Sequence, residues 1–207
     1  MSERVKIILD KNADILRLPA IALRGLVVFP GNIIHFEVGR KKSIAAIEWA
    51  MSNNNAVFLT AQQDMDVEDP GFKDLYAYGV VAEVKQVLRV SDELVKVLVE
   101  GKYRAKLLTL DSSGRFLLAS TKAAALRGTK SVDSARVEAL VRSVKEAFEE
   151  YLSLNPRLSK DVVYTIITNE DAALLCDYIP ANLLLKYTDK QALLNEGTVS
   201  GLSLIHI

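Results

Sequence analysis

Cysteine is nearly absent from this chain: Cys176 stands alone in 207 residues. A single thiol can form neither an internal disulfide nor a multi-cysteine metal site, and a reducing compartment suits such a chain. Histidine is almost as scarce, with only His35 and His206, which argues against a multi-histidine metal site or a histidine-based triad. No sign of charge dominates, since 26 Lys and Arg balance 26 Asp and Glu. Residues 1–121 hold 16 basic and 15 acidic side chains and the remainder 10 and 11, so neither part is a charged tail. A nucleic-acid partner is therefore not expected, because phosphate neutralisation needs a basic excess. Long apolar runs are missing too. None approaches the roughly 18 residues of a membrane span, and Val5–Leu9 is cut by Asp10 and Lys11 with no small-residue cleavage pattern after it. These absences lead us to expect a soluble, cytoplasmic protein with no membrane partner.

What is present is a folding composition: half of the residues are apolar, against 10 glycines and 5 prolines, so one large or two small domains are expected. The first 121 residues read as β-rich. Leu26–Phe29, Ile33–Val38 and Ala56–Thr60 are short apolar runs bounded by Gly, Pro or Asn, as strands are. Between residues 79 and 121 the period is two. Ala82, Val84, Leu88 and Val90 share one face, Val95, Val97 and Val99 share another, and runs 103–110 and 115–121 flank the turn Asp111-Ser112-Ser113-Gly114. An antiparallel meander is predicted. Ser43 can cap a helix over IAAIEWAMS that packs on the sheet.

After a basic linker, Lys122–Lys130, the period becomes 3.6, with Val137, Val141, Val144, Phe148 and Tyr151 on one stripe. Asn155-Pro156 ends this helix and Ser159 caps the next. Asn169 begins another that stops before Pro180, a short helix covers 181–186, and Thr188-Asp189-Lys190-Gln191 opens the last. Strands followed by helices predict an α+β chain of two segregated units, residues 1–121 and 122–207.

Motifs for chemistry are largely missing. There is no G-x-x-x-x-G-K-[ST], no G-x-G-x-x-G, no G-x-S-x-G and no S-x-x-K. No catalytic residue, cofactor site or metal site is assigned. His35 reads as a strand residue and Cys176 as a buried structural thiol. The acidic connection QQDMDVEDPGFKDLY places Asp64, Asp66 and Glu68 at alternate positions, yet Asp69 and Leu75 stand where a calcium loop needs Gly and Glu. Its apolar members Phe72, Leu75 and Tyr76 either anchor the loop to the core or contact a polypeptide partner. Arg40-Lys41-Lys42 reads as a solvated turn.

Leu18-Pro19, Leu23-Arg24, Val28-Phe29-Pro30-Gly31, Val38-Gly39-Arg40, Ser43, Ala46-Ile47, Asp74-Leu75-Tyr76, Gly79, Val97-Leu98-Val99-Glu100-Gly101 and Arg104-Ala105 occur in order over about 90 residues. In this order and spacing they resemble the N-terminal domain of ATP-dependent Lon proteases. Tyr187–Leu194 is similar to the helical extension that follows in bacterial members. Ala22 stands where proline is usual, Ser91-Asp92-Glu93-Leu94 replaces a Pro-Asp-Gly hairpin, and Gly201–Ile207 is not how the family continues. The resemblance implies a PUA-like β pseudo-barrel with one packed helix, then a helical bundle leading towards an ATPase module. It also implies recognition of unfolded or degron-bearing polypeptides and contacts with other Lon subunits. ATP, magnesium and the Ser-Lys peptidase chemistry would belong to modules outside this non-catalytic chain. A stand-alone adaptor with the same domain is the alternative.

Overall fold

The computed structural model describes residues 15–125, 134–154 and 158–198. Contacts divide the chain after Ala125 into two units. Among the described residues the first unit comprises β1 Leu16–Leu23, β2 Ile33–Val38, α1 Lys41–Met51, β3 Ala56–Ala61, β4 Tyr78–Arg89, β5 Val95–Asp111 and β6 Leu117–Ala123. The expected boundary after Thr121 thus cuts β6, whose Lys122 and Ala123 still pair with Lys106 and Ala105.

Alternation works where predicted in β5: Val95, Val97 and Val99 are buried while Lys96 and Glu100 are only partly covered. β4, β5 and β6 form the antiparallel meander. The sheet then does something that periodicity does not reveal. β1 pairs parallel to β3 and antiparallel to β6, and β6 pairs with β5 as well, so β5-β4-β3-β1-β6 closes into a ring. β2 hangs on the N-terminal part of β5 as an edge strand. Closure buries Leu18, Ala20, Phe58, Val81, Ala105, Leu107 and Ala119 in one core.

Several expectations fail locally. The runs 94–100 and 103–110 are one 17-residue strand, β5, with Gly101 inside it rather than at a turn. Leu26–Phe29 is not a strand, although Val27, Val28 and Phe29 are buried. In β4, pairing slips between Val84 and Gln86, so Leu88 and Val90 are exposed instead of sharing a buried face with Ala82 and Val84. α1 begins at Lys41 behind the extended Arg40, two residues before the predicted cap. Ser43 is consequently in the first turn and 5 % exposed. Trp49 leans on Phe116, with ring centroids 5.7 Å apart, while Met51 stays exposed.

One surface feature has a pH signature. Glu83 and Glu100 are directly opposite across β4 and β5, a like-charge pair that would weaken the ladder. Lys85 contacts both at 2.8 Å, and Lys102 contacts them at 2.9 and 2.7 Å. Hydrogen bonds from the lysines, Lys85 first for Glu83 and Lys102 first for Glu100, hold both carboxylates below their ordinary range. A carboxylate whose folded value is depressed stabilises fully above its unfolded value, here about 4.5, and loses that contribution as pH falls through the folded value. Glu100→Gln will therefore change stability little at pH 7, where solvent screens the exposed groups, and will flatten the loss of stability below pH 4.5. Denaturant titrations at pH 7, 4.5 and 3 check this; an unchanged acid slope contradicts it.

The second unit contains α2 Ser134–Leu154, α3 Lys160–Thr168, α4 Ala172–Asn182 and α5 Tyr187–Asn195. The predicted stripe is buried, with Val141, Val144, Phe148 and Tyr151 meeting Ile166, Leu175 and Ile179 in a shared core. Ser159 caps α3 by accepting from the Val162 N–H at 3.3 Å. Asp171, not Asn169, caps α4 by accepting from the N–H groups of Ala173 and Leu174. Pro180 lies inside α4, which continues to Asn182, so no separate helix covers 181–186. α5 starts behind Lys186, one residue before the Thr188 box. Asn155-Pro156 lies outside the described residues.

Candidate functional site

The acidic connection between β3 and β4 exposes Asp64, Asp66, Glu68 and Asp69 to solvent, yet its backbone is firmly held. Its two ends are stitched together: Gln63 N–H donates to Asp74 C=O at 2.8 Å, Tyr76 N–H to Ala61 C=O at 3.1 Å, and the Thr60 hydroxyl to Tyr76 C=O at 2.9 Å. Gln63 also reaches across with its amide to Leu75 C=O at 2.9 Å. Asp74 folds a single 3-10 turn, Phe72–Asp74, by accepting from Gly71 N–H at 2.8 Å.

Its middle is held by two side chains that sequence reading passed over. Gln62 is fully buried, and its amide nitrogen donates to the carbonyls of Asp64 at 3.0 Å and Val67 at 2.9 Å. Its amide oxygen accepts from the Arg40 guanidinium, which also donates to Val67 C=O and Ala22 C=O, both at 3.1 Å. The supposed solvated turn at 40–42 is thus a clamp, because Lys42 reaches both Asp69 carboxylate oxygens at 3.0 Å as well. Burial draws the Arg40 guanidinium below its ordinary value, neighbouring Arg24 adds to this, and Asp69 and Glu68 oppose it. It remains a cation, since arginine does not lose its proton in proteins. A polar amide directly after the wholly buried β3, AVFLTA, was the available signal for Gln62.

The clamp sorts the three candidate contact residues. Phe72 is 48 % exposed on the 3-10 turn, and Tyr76 is half-buried. Leu75 is 3 % exposed and belongs to the core with Phe58 and Tyr103, so it anchors the loop and is not available to a partner. The antiparallel bridge between Gln62 and Leu75 turns neighbouring side chains to opposite sides, which is why adjacent residues part company. His35 is exposed on β2 and Cys176 is buried in the helical core. Among the described residues no cluster of His, Cys, Asp or Glu could hold a metal ion, and no helix is long and apolar enough to cross a membrane.

The family model for the ATP-dependent protease La (LON) substrate-binding domain matches residues 17–201. The chain is 38 % identical over 183 residues to a Lon protease of Desulforamulus reducens, covering 88 % of this chain and 22 % of that protein. It is 36 % identical over 190 residues to the Lon protease of Escherichia coli K12, covering 92 % and 24 %. It therefore spans less than a quarter of the length of these relatives. Among solved structures, the N-terminal domain of a Mycobacterium avium complex Lon protease superposes with a TM-score of 0.62 at 16 % identity, covering 92 % of this chain and all of that one. The Lon N-terminal domain protein from Xanthomonas campestris gives the same TM-score at 13 % identity, covering 91 % and 96 %. The ordered elements from Leu18 to Ala105, the sheet-rich fold and the extent of the match agree: the chain belongs to the Lon protease substrate-binding domain family.

Proposed function

We propose that this chain recognises polypeptide substrates for an ATP-dependent serine protease that removes misfolded and short-lived regulatory proteins in the cytoplasm, and that it is itself non-catalytic. The observation that carries this reading is the substrate-binding family match over residues 17–201. The closed ring with one packed helix, of PUA-like kind, is the recognition platform, and the helices that follow it in sequence connect it to the ATPase module. ATP and magnesium act in that module, and other Lon subunits meet this chain when the protease assembles.

On the platform, the 3-10 turn presents exposed Phe72 and leads into half-buried Tyr76, two aromatic side chains on a loop that the Arg40–Gln62 clamp keeps in place. Unfolded chains differ from folded ones in their exposed apolar side chains, which these aromatics can bind without a sequence code. Phe72→Ser will lower capture of a carboxymethylated unfolded protein roughly five- to tenfold, the value of half-burying one aromatic ring, with an unchanged melting temperature. Fluorescence anisotropy with chain 1–207 and a dye-labelled client measures this. Absence of binding by the parent chain would overturn the function, and unaltered binding by Phe72→Ser would overturn the contact.

A further inference from the structure

A second feature of the first unit has no part in the reading above. A groove of about 300 Å³ is lined by Ile21–Leu23 at the end of β1 and by Phe36–Val38 at the end of β2, together with Arg24, Arg40 and Ser43. Its volume is at the small end of ligand pockets, fit for the end of a chain rather than a folded segment. Both walls are strand edges. Among the described residues β2 pairs only with β5, and the pairing of β1 with β6 stops at Ala20. An exposed strand edge can take an extended polypeptide through main-chain hydrogen bonds.

The part of the groove at the start of α1 is arranged for negative charge. α1 starts here with no side chain capping it and no acidic residue in its first turn, so the first-turn N–H groups and the positive end of the helix dipole lack a partner from the helix itself. Ser43, in that first turn, is 5 % exposed, lines the groove, and makes no side-chain hydrogen bond to any described residue. Its hydroxyl oxygen is not sealed in the interior and opens into the groove, where a ligand oxygen can take the hydrogen bond that water otherwise fills. Arg24, exposed and tethered only by a 3.4 Å bond to Val67 C=O, adds a cation to that of Arg40. Glu37 is the one carboxylate on the walls, and it lies opposite Lys96 across the sheet.

We propose that this groove binds the C-terminal α-carboxylate of an extended polypeptide, its last residues lying along the free edge of β2 and its carboxylate meeting Ser43 Oγ, the first-turn N–H groups of α1 and Arg24. The chain end, not an acidic side chain, is the occupant because side chains of an extended segment stand perpendicular to its axis. Only the terminal carboxylate continues in line with the backbone, towards the helix start that β2 itself leads into. The site deepens the polypeptide-recognition role and rests on it.

Anisotropy with chain 1–207 and an N-terminally labelled apolar decapeptide tests this in three forms: free acid, C-terminal amide, and amide with one internal Asp. The free acid should bind about tenfold more tightly than the amide, as expected for loss of a charge-assisted hydrogen bond. Arg24→Gln and Ser43→Ala should each shrink this acid-to-amide ratio several-fold, a readout that a merely structural effect would leave unmoved because it weakens both peptides alike. Equal binding of acid and amide overturns the carboxylate site and leaves polypeptide capture standing. An internal-Asp amide that binds as well as the free acid overturns the chain-end assignment. Failure of all three forms to bind overturns both readings.

Discussion

Alanine at Gly101 will destabilise the first unit by about 3–5 kcal/mol, the upper end of what overpacking inside a fold costs. A Cβ there would lie 2.2 Å from the Phe29 carbonyl oxygen and 3.0 Å from its carbon, so the obstacle is backbone and cannot rotate away. The approach is close because Gly101 N–H donates to Asn32 C=O at 2.9 Å and Gly31 N–H donates to Gly101 C=O at 2.8 Å. These bonds seat the segment with Val27, Val28 and Phe29 against β5 and bury all three. Register against β4 also slips here, Ala82 facing Gly101 while Val81 faces Tyr103, which leaves Lys102 as a bulge residue. The bend divides β5 into one part that pairs with β2 and another that pairs with β6. Gly79→Ala should behave alike, its Cβ falling 2.2 Å from Leu59 C=O and 2.7 Å from Phe58 Cζ. Gly114→Ala is the control, with nothing nearer than 3.6 Å, and should stay within about 1 kcal/mol of the parent. Melting temperatures roughly 10–20 °C lower for the first two variants and near the parent for the third are expected. An alanine at position 101 tolerated as well as at 114 would contradict the close approach.

Gln62→Leu should cost about 2–3 kcal/mol although leucine nearly matches glutamine in size, since the loss is of hydrogen bonds and not of packing. The substitution removes the donors to Asp64 and Val67 C=O and the acceptor for Arg40. The half-buried guanidinium then has only the carbonyls of Ala22 and Val67 left. Gln62→Glu separates the two losses: it keeps an acceptor for Arg40 and lacks both donors, so it should recover part of the stability and not the loop. Amide exchange across residues 63–76 and limited proteolysis in 64–71 give the loop readout, and denaturant unfolding gives the global one. Parent-like protection of the loop in Gln62→Leu would show that the clamp does not hold it.

Both positions show where reading the chain by itself runs out. Gly101 stands between two alternating runs and reads as punctuation; within the barrel it is a mid-strand position where another backbone passes. Gln62 directly follows a buried strand and reads as the first residue of an acidic loop. Ser43 reads as a helix cap, because serine ahead of apolar periodicity is usually one. The chain instead stays extended through Arg40 and starts α1 at Lys41, which leaves Ser43 in the first turn and lining the groove. The first two misreadings concern residues whose partners lie far away in sequence: Phe29 for Gly101, and Arg40 for Gln62.

From its sequence alone, this protein's α+β order, the inward face Val95-Val97-Val99, the stripe from Val141 to Tyr151, the Ser159 cap and family membership were all determined, because each depends on local period, local capping or ordered residue identity. Only the tertiary structure decided ring closure through the double pairing of β6, the withdrawal of Leu75 beside exposed Phe72, and the groove at the start of α1. Those depend on which strand edges and polar groups find partners across the barrel, and a residue's exposure is set by what packs against it rather than by its own chemistry.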